Sequence, residues 1–282
     1  MPWAPRQRCW AGDWLEGAES VLVGAVSYAG RYGAKIQPGQ GYVSPFAQVP
    51  DYHSLVRQKL EALGRYLVQL VPGARFTTQV DSGPGCERIF AALAGVGWQG
   101  KNNFIIVPGH GSFVWLGLLT TNVKLPPDSP LASQCGDCQR CLSACPTQAY
   151  TDANDFDHNQ CLAYWAVAKG NLTLRQEQIL GRHRIVYGCD YCQLACPHNE
   201  AGTAAGSMPD IAEIMTMSAS QFETMFRDSA AGWRGRNLLR RNAVLASQGK
   251  PEFRAVLEKL AQGRGMVAET ARRVLEDDLP QG

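Results

Sequence analysis

The chain has 282 residues, of which 45% are apolar and 18% are charged, and its formal net charge is +2. This composition predicts a globular protein with a sizeable core, and no run approaches the roughly eighteen apolar residues that a membrane-spanning helix needs. The first residues lack the apolar core of a signal peptide. We therefore expect a soluble, cytoplasmic protein whose ten cysteines form no disulfide framework, which leaves thiols free for metal binding or catalysis, with metal binding the leading interpretation.

The first part of the chain alternates between strand and helix patterns. "SVLVGAVS" predicts a buried strand, "DYHSLVRQKLEALGRYLVQLVPG" predicts an amphipathic helix capped by Asp51 or Ser54, and "RFTTQV" predicts a strand that leads to Asp81. "SGPGCERIFAALAG" predicts a helix, and "NFIIV" and "SFVWLGLLTT" predict two strands joined by a turn. This order of elements predicts an α/β domain of about 125 residues.

The end of the chain is helical and basic. "GRNLLRRNAVLASQ", "PEFRAVLEKLAQG" and "MVAETARRVLEDD" each have amphipathic spacing and together suggest one helical-repeat unit. Residues 226 to 282 carry eleven Lys and Arg against seven Asp and Glu. An excess of this kind is found on polyanion-binding surfaces and equally on solvated helix surfaces.

Two cysteine runs occupy the middle of the chain. Cys135, Cys138, Cys141 and Cys145, followed by Pro146, match C-x2-C-x2-C-x3-C-P, the spacing of ferredoxin-like 4Fe-4S proteins. Zinc ribbons use separated cysteine pairs and need only four ligands, so zinc is the weaker interpretation.

The second run lacks the first cysteine of that pattern, and Val186 stands at its position. Two 4Fe-4S clusters need eight thiolates, and eight are present once Cys161, between the runs, is counted. The fourth cysteine of each such run ligates the other cluster. The pattern therefore predicts one cluster on Cys135, Cys138, Cys141 and Cys196, and another on Cys145, Cys161, Cys189 and Cys192. Cys9 and Cys86 are left over and are interpreted as ordinary small residues.

Few other polar residues stand out. Asp81 ends a predicted strand and precedes a predicted helix, which suits a site residue at the edge of an open sheet or a helix cap. Lys101 follows a glycine turn and is a candidate contact to a cofactor or substrate, or a turn residue. "GVGWQG" matches G-x-G-x-x-G but follows a helix and precedes a strand, so it does not predict a dinucleotide site. His53 and His110 lack partners at ligand spacing and are interpreted as structural or solvent-exposed.

Several segments together resemble one known family. "DYH", "DSGPGCER", "GVGWQGKN", "GSFVWLG", the two cysteine runs and "RRNAVLA" are similar to segments of epoxyqueuosine reductases, the cobalamin-dependent iron-sulfur enzymes of transfer RNA wobble-base modification. The resemblance spans nearly the whole chain. It implies an α/β (α+β) cobalamin-binding domain at 1–125, a ferredoxin-like two-cluster 4Fe-4S domain at 126–205 and a helical, HEAT-like segment at 206–282.

The resemblance also implies a reaction, the reduction of epoxyqueuosine to queuosine in tRNA, with cobalamin reduced through the two clusters by an external electron donor. It implies that Asp81 donates a proton to the departing epoxide oxygen, a task for a carboxylic acid in a dry pocket. The implied cobalamin contacts are Ser44, Asp81, Arg88, Lys101, Leu162 and Tyr164. The implied contacts to tRNA phosphates are Arg234, Arg236, Arg240 and Arg241. We expect a monomer without a membrane partner.

Four positions depart from the family pattern. Ala163 stands at a usual serine, Ala168 at a usual glutamate, Gln148 at a usual glycine and His198 at a common tryptophan. Family members also usually begin a few dozen residues earlier, so we expect a shortened N-terminal segment. Two alternatives therefore stay open: another cobalamin and iron-sulfur reductase that acts on a small molecule, and a two-cluster electron-transfer protein. The elaborated α/β domain argues against the electron-transfer protein.

Overall fold

The computed structural model describes residues 11–28, 36–153, 155–199 and 208–277, and Cys9 lies outside these ranges. The strands are β1 (Ser20–Ser27), β2 (Tyr42–Val43), β3 (Phe76–Gln79), β4 (Trp98–Gln99), β5 (Ile105–Ile106), β6 (Val114–Thr121), β7 (Tyr150–Asp152), β8 (Asp155–Phe156) and β9 (Ile185–Tyr187). The α-helices are α1 (Tyr52–Leu70), α2 (Glu87–Leu93), α3 (Arg140–Ser143), α4 (Leu162–Val167), α5 (Leu174–Arg182), α6 (Tyr191–Leu194), α7 (Ile211–Thr216), α8 (Ala219–Phe226), α9 (Arg236–Ala246), α10 (Arg254–Ala261) and α11 (Met266–Asp277). Within the described ranges, no helix combines the length and the apolar character needed to cross a membrane.

A three-stranded antiparallel sheet forms the core of the N-terminal region. Its order is β1-β6-β3, and β6 pairs with both neighbours. α1 crosses the sheet closely because Gly117 has no side chain there; a Cβ on Gly117 would lie 2.8 Å from both Leu60 and Val56. These two residues belong to the apolar face of α1 and are buried. The predicted strand at 20 to 27 and the predicted helix are confirmed, and the side chain of Asp51 caps the helix.

Three expectations for this region differ from the structure. The sheet is antiparallel, so the rule that ligands bind beyond the carboxyl ends of the strands of an open α/β sheet does not account for the position of Asp81. The strand predicted in "NFIIV" pairs with β4 and not with β6. The helix predicted from Ser82 begins only at Glu87, because the preceding loop folds around Gln79, whose side-chain oxygen accepts a hydrogen bond from the Gly85 amide at 3.2 Å.

A second hydrophobic core is built around α9, which packs against α5, α7, α11 and β9. Leu239, Ala243 and Val244 of α9 are fully buried in it. The three helices predicted at the end of the chain are confirmed as α9, α10 and α11. β2 pairs in parallel with β9, so a strand from the first 125 residues contributes to this second core. The N-terminal region and the cysteine-rich region are therefore joined by a shared sheet.

Candidate functional site

Four cysteines from the two runs surround one small cavity. Cys135, Cys138 and Cys141 of the first run and Cys196 of the second run line a space of about 80 Å³. The runs meet here because the short helices α3 and α6 pack against each other. Burial, followed by the charges of Cys196 and Cys135, raises the pKa of the Cys141 thiol. The Cys141 thiol therefore favours its protonated form until metal binding replaces the proton.

The other four cysteines form a second group of electrostatic neighbours. Burial and then the charge of Cys145 raise the pKa of Cys161, which immediately precedes α4. Burial raises the pKa of Cys192 to about 12, with Cys161 and Cys145 among the charges that add to this effect. The pKa of Cys189 is also raised by burial, with Cys192 and Cys161 among its charged neighbours. The crosswise ligand scheme drawn from the spacing stays a prediction for these four residues.

The position of the missing cysteine lies in the core. Val186 is the middle residue of β9 and has no exposed surface. A side chain at this position packs in the second hydrophobic core, and not among the thiols. Cys161 supplies the eighth thiol from a different part of the chain.

The first group has the ligand arrangement that a 4Fe-4S cluster needs. Such a cluster takes one thiolate at each of its irons, so its four ligands surround a volume. The cavity bounded by four cysteines fits that requirement, and the assignment of each ligand stays a prediction.

Asp81 lies in an exposed loop after β3 and is held by residues at the start of α1. Its backbone has φ of 58°, a left-handed conformation that costs energy outside glycine. The Tyr52 hydroxyl donates to Asp81 Oδ2 at 2.5 Å, and His53 Nε2 lies 3.7 Å from the same oxygen. His53 Nδ1 is in turn 2.5 Å from Asp51 Oδ1. The carboxylate thus faces a tyrosine and a histidine that a second carboxylate orients.

Tyr52 is a fixed donor in this group. Burial and then the Asp81 charge raise the pKa of Tyr52, so the hydroxyl stays protonated across the physiological range. Its ring stacks on Trp115 at 5.4 Å with an interplanar angle of 5° and on His53 at 4.3 Å. The interpretation of His53 as structural or solvent-exposed missed this contact. The Asp-x-His spacing at the start of a helix was the only local signal, and it does not reveal the approach of Asp81.

Two of the predicted cobalamin contacts are buried in protein. Ser44 has no exposed surface, and its hydroxyl donates to Asp190 at 2.6 Å, as does the Tyr42 hydroxyl at 2.7 Å. Leu162 is 2% exposed and packs in the second core. Neither placement supports a direct side-chain contact to a cofactor.

The other predicted contacts are placed differently. Arg88 Nη1 donates to the Asn103 carbonyl at 2.9 Å, and burial lowers the pKa of its guanidinium. Lys101 lines the cavity of the first cysteine group and donates to the Gly136 carbonyl at 2.7 Å. Tyr164 is 48% exposed. Together with Asp81, these three residues are the predicted contacts that retain accessible or partly accessible side chains.

Two departures from the family pattern acquire a structural meaning. Gln148 has φ of 54°, so the glycine usual at this position would relieve a left-handed backbone. His198 lines the cavity of the first cysteine group and packs edge-on against Trp98 at 5.0 Å. An aromatic ring is therefore retained at the cavity where tryptophan is common.

The four arginines predicted to bind phosphates separate into two kinds. Arg234 and Arg236 line a second cavity of about 370 Å³ at the start of α9. Arg240 is half-buried, and its Nε donates to the Met215 carbonyl at 2.7 Å. Arg241 is 1% exposed, and its guanidinium donates to backbone carbonyls that include Ala168 at 2.9 Å. The prediction for Arg241 is wrong, because a buried guanidinium bonded to carbonyls cannot reach an RNA phosphate.

Comparison with known proteins identifies the family. The family model for epoxyqueuosine reductase QueG matches residues 8–82, and the model for the 4Fe-4S double cluster binding domain matches residues 134–199. An epoxyqueuosine reductase of Bacillus anthracis is 32% identical over 276 residues, which cover 93% of this chain and 71% of that protein. The chain belongs to the epoxyqueuosine reductase family. The double-cluster match also supports two 4Fe-4S clusters in this member.

Solved members of the family have the same fold. The epoxyqueuosine reductase of Streptococcus thermophilus is 27% identical with a TM-score of 0.89, covering 98% of this chain and 78% of its own. A crystal structure of an epoxyqueuosine reductase with an epoxyqueuosine-modified tRNA-Tyr stem loop is 25% identical with a TM-score of 0.80, covering 95% and 84%. A Bacillus subtilis relative, 27% identical with a TM-score of 0.82 and coverage of 96% and 80%, was solved with its catalytic loop swung out of the active site.

Proposed function

We propose that this protein reduces epoxyqueuosine to queuosine at the wobble position of tRNA, using cobalamin and two 4Fe-4S clusters. The observation that carries the proposal is the Asp81 carboxylate, presented on an exposed loop and bonded to Tyr52 beside His53. The match to the double-cluster domain supports two 4Fe-4S clusters in the same chain, which would supply electrons to such a site. Family membership and the relative solved with an epoxyqueuosine-modified stem loop support this substrate.

The region around Asp81 has a polar character that suits cobalamin. Gln79 Nε2 and Glu87 Oε1 are buried and have no hydrogen-bond partner among the described residues. Burial raises the pKa of Glu87, so its carboxyl can also donate. The amide groups around a corrin ring can donate and accept hydrogen bonds, which would satisfy both atoms. Arg88, Lys101 and Tyr164 are the further side chains that we assign to hold the cofactor.

When bound, cobalamin supplies a strongly reducing, nucleophilic metal centre, and the clusters supply its electrons. The residues of this chain handle the proton. Opening the epoxide leaves an alkoxide, and Asp81 in its acid form would donate the proton that neutralises this oxygen. Tyr52 fixes one carboxyl oxygen by a hydrogen bond of 2.5 Å, and the Asp51–His53 pair stands beside it to restore the proton after each turnover.

Three regions would share the work: a cobalamin-binding region at 1–125, a two-cluster region at 126–205 and a helical region at 206–282. The first cysteine group would hold one cluster through Cys135, Cys138, Cys141 and Cys196. The second group would hold the other through Cys145, Cys161, Cys189 and Cys192. An external donor would deliver electrons to the clusters, and Arg234 and Arg236 would contact the tRNA backbone.

Anaerobic purification with added cobalamin tests the proposal. Iron and cobalt should be found in the same sample, and the protein with a chemical reductant should convert an epoxyqueuosine-containing anticodon stem loop to the queuosine form, as read by mass spectrometry. Asp81→Asn should retain both metals and bind the RNA but lose turnover, because an amide cannot donate the proton.

Asp128→Asn is the matched control, since Asp128 is exposed and lies far along the chain from the site loop. Full turnover by Asp81→Asn would remove Asp81 from the proton-donor role. Clusters without cobalt, and no conversion of the RNA, would favour an electron-transfer protein.

A further inference from the structure

Trp233 presents a flat apolar surface that the protein holds in place. Its side chain is 67% exposed, more than any other large hydrophobic side chain in the described ranges. The indole Nε1 donates to the Tyr187 hydroxyl at 3.0 Å, and that hydroxyl donates to the Ala230 carbonyl at 2.7 Å. The Arg234 guanidinium carbon lies 3.8 Å from the centroid of the indole ring. An exposed tryptophan that is anchored by its polar edge loses little conformational freedom when a ligand stacks on it.

The segment that carries Trp233 borders the start of α1, where Asp51, Tyr52 and His53 lie. The Asp51 amide donates to the Asp228 carbonyl at 2.6 Å, and Pro50 pairs with Ser229 in an isolated bridge. The ring of Tyr187 lies 6.1 Å from that of Phe46, which lies 6.5 Å from that of Tyr52. Two aromatic rings, those of Tyr187 and Phe46, thus lie between the indole and Tyr52, which holds Asp81.

Arg234 also lines a basic pocket. It is the cavity of about 370 Å³ at the start of α9, and its polar walls include Lys169, Arg234, Arg236 and Asn237, with no acidic residue. Arg234 Nε is buried and has no hydrogen-bond partner among the described residues. The N-terminal end of α9 adds the positive potential of the helix dipole to the pocket. Gly235 before the helix has open space where a Cβ would stand.

A flat aromatic surface next to an anion pocket matches the two parts of a nucleotide. Unpaired bases in RNA loops stack on exposed aromatic side chains, while Lys and Arg hold the flanking phosphates. The reacting nucleotide must reach Asp81, so the nucleotide on the indole is a different one. Arg234 links the two surfaces because its guanidinium lies over one face of the Trp233 ring and also lines the pocket.

We propose that Trp233 is a stacking platform for an unpaired loop base that neighbours the reacting nucleotide, and that Lys169, Arg234 and Arg236 hold the backbone phosphate beside that base. This inference rests on the proposed function, since it assigns a place to the RNA of that reaction. It makes Trp233 a determinant of RNA affinity and of register in the site.

The test compares Trp233→Ala and Trp233→Phe by fluorescence anisotropy with a labelled, unmodified anticodon stem loop, so that binding is read without turnover. Trp233→Ala should weaken binding by about tenfold, the usual scale for loss of one base–aromatic stack. Trp233→Phe keeps a ring and should stay within about threefold of the wild type. Tyr66→Ala is the matched control, because Tyr66 is 57% exposed on α1. The loss in Trp233→Ala should appear as a higher KM on the epoxyqueuosine RNA.

The cationic side chains of the pocket can be tested separately, by the salt dependence of RNA affinity. Lys169→Ala and Arg236→Ala should each weaken binding and lower the slope of log affinity against log salt concentration by about one. Trp233→Ala should leave that slope unchanged, because stacking releases no counterions. Arg254→Ala is the control, since Arg254 is exposed on α10. If inorganic phosphate binds in the pocket while Lys169→Ala leaves RNA binding unchanged, the pocket is a site for free phosphate and the inference is overturned.

Other outcomes also decide the question. If Trp233→Ala and the wild type bind the RNA equally well, and the wild type converts it, the stacking role of Trp233 is overturned and the proposed function stands. Loss of cobalt from Trp233→Ala with unchanged RNA affinity would place the indole at the cofactor and overturn the inference. A wild-type protein that neither binds nor converts the RNA would overturn both. Thermal unfolding of each variant within about 3 °C of wild type would show that folding is intact.

Discussion

Replacing Arg241 with methionine should destabilise the protein without weakening its binding to RNA. The guanidinium donates to the carbonyls of Ala168 at 2.9 Å, Gly170 at 3.2 Å and Trp165 at 3.4 Å. It also donates to the Asn242 side chain at 3.0 Å. Methionine occupies a similar volume but donates no hydrogen bond, so these carbonyls at the end of α4 would lose their charged donor.

The magnitude follows from those contacts. A hydrogen bond from a charged donor contributes about 1.5–3 kcal/mol, and a buried carbonyl left without a partner costs about 1–3 kcal/mol. Burial lowers the pKa of Arg241 to about 10, which reflects the cost of placing this charge in the interior. That cost offsets part of the gain, so we expect the free energy of unfolding to fall by about 2–4 kcal/mol. The corresponding fall in Tm is roughly 5–15 °C.

Thermal unfolding of the anaerobic holoprotein, followed by circular dichroism at one scan rate, measures this effect. RNA affinity is measured on the same preparations below the unfolding transition. Arg236→Met is the contrasting variant, because Arg236 lines the basic pocket and should lose RNA affinity at unchanged Tm. An Arg241→Met protein with wild-type Tm and weakened RNA binding would refute this reasoning and restore the phosphate contact.

Three further outcomes are expected. Cys161→Ala should bind about four irons where the wild type binds about eight, because one of the two proposed four-thiol groups becomes incomplete. An iron analysis that still finds about eight atoms would contradict the ligand scheme. Tyr52→Phe should lower kcat by roughly tenfold at unchanged iron content, because Asp81 loses the hydroxyl at 2.5 Å that positions it. An unchanged kcat would mean that Tyr52 is only a packing residue. Gln148→Gly should raise Tm by roughly 2–4 °C by relieving the φ of 54°, and a lower Tm would show that the Gln148 side chain stabilises the fold.

The presence of two 4Fe-4S clusters could be predicted because the ligand spacing along the two cysteine runs is a local pattern. The long helices were predictable for a similar reason, since the apolar period of α1 is a local property that ends at Pro72 and Gly73. The pairing of β5 with β4 could not be predicted, because a strand of two residues is too short for its sequence pattern to indicate which strand it pairs with.

Contacts between distant segments account for the other misses. His53 meets Asp81 only because α1 and the end of β3 lie side by side, and no local pattern encodes that approach. Arg241 and Arg240 are adjacent in a basic sequence, yet the helix turns Arg241 inward and leaves Arg240 half-buried. Charge counting treats both as surface residues, because it ignores which side of α9 faces the core.

The meeting of the two cysteine runs has a consequence for how the protein is made. The cavity that Cys135, Cys138 and Cys141 line is completed by Cys196, and Cys161 is grouped with residues of both runs. A growing chain has no complete four-thiol group until the second run has left the ribosome. On the proposed ligand scheme, both clusters would therefore be inserted only after the second run has emerged and folded onto the first.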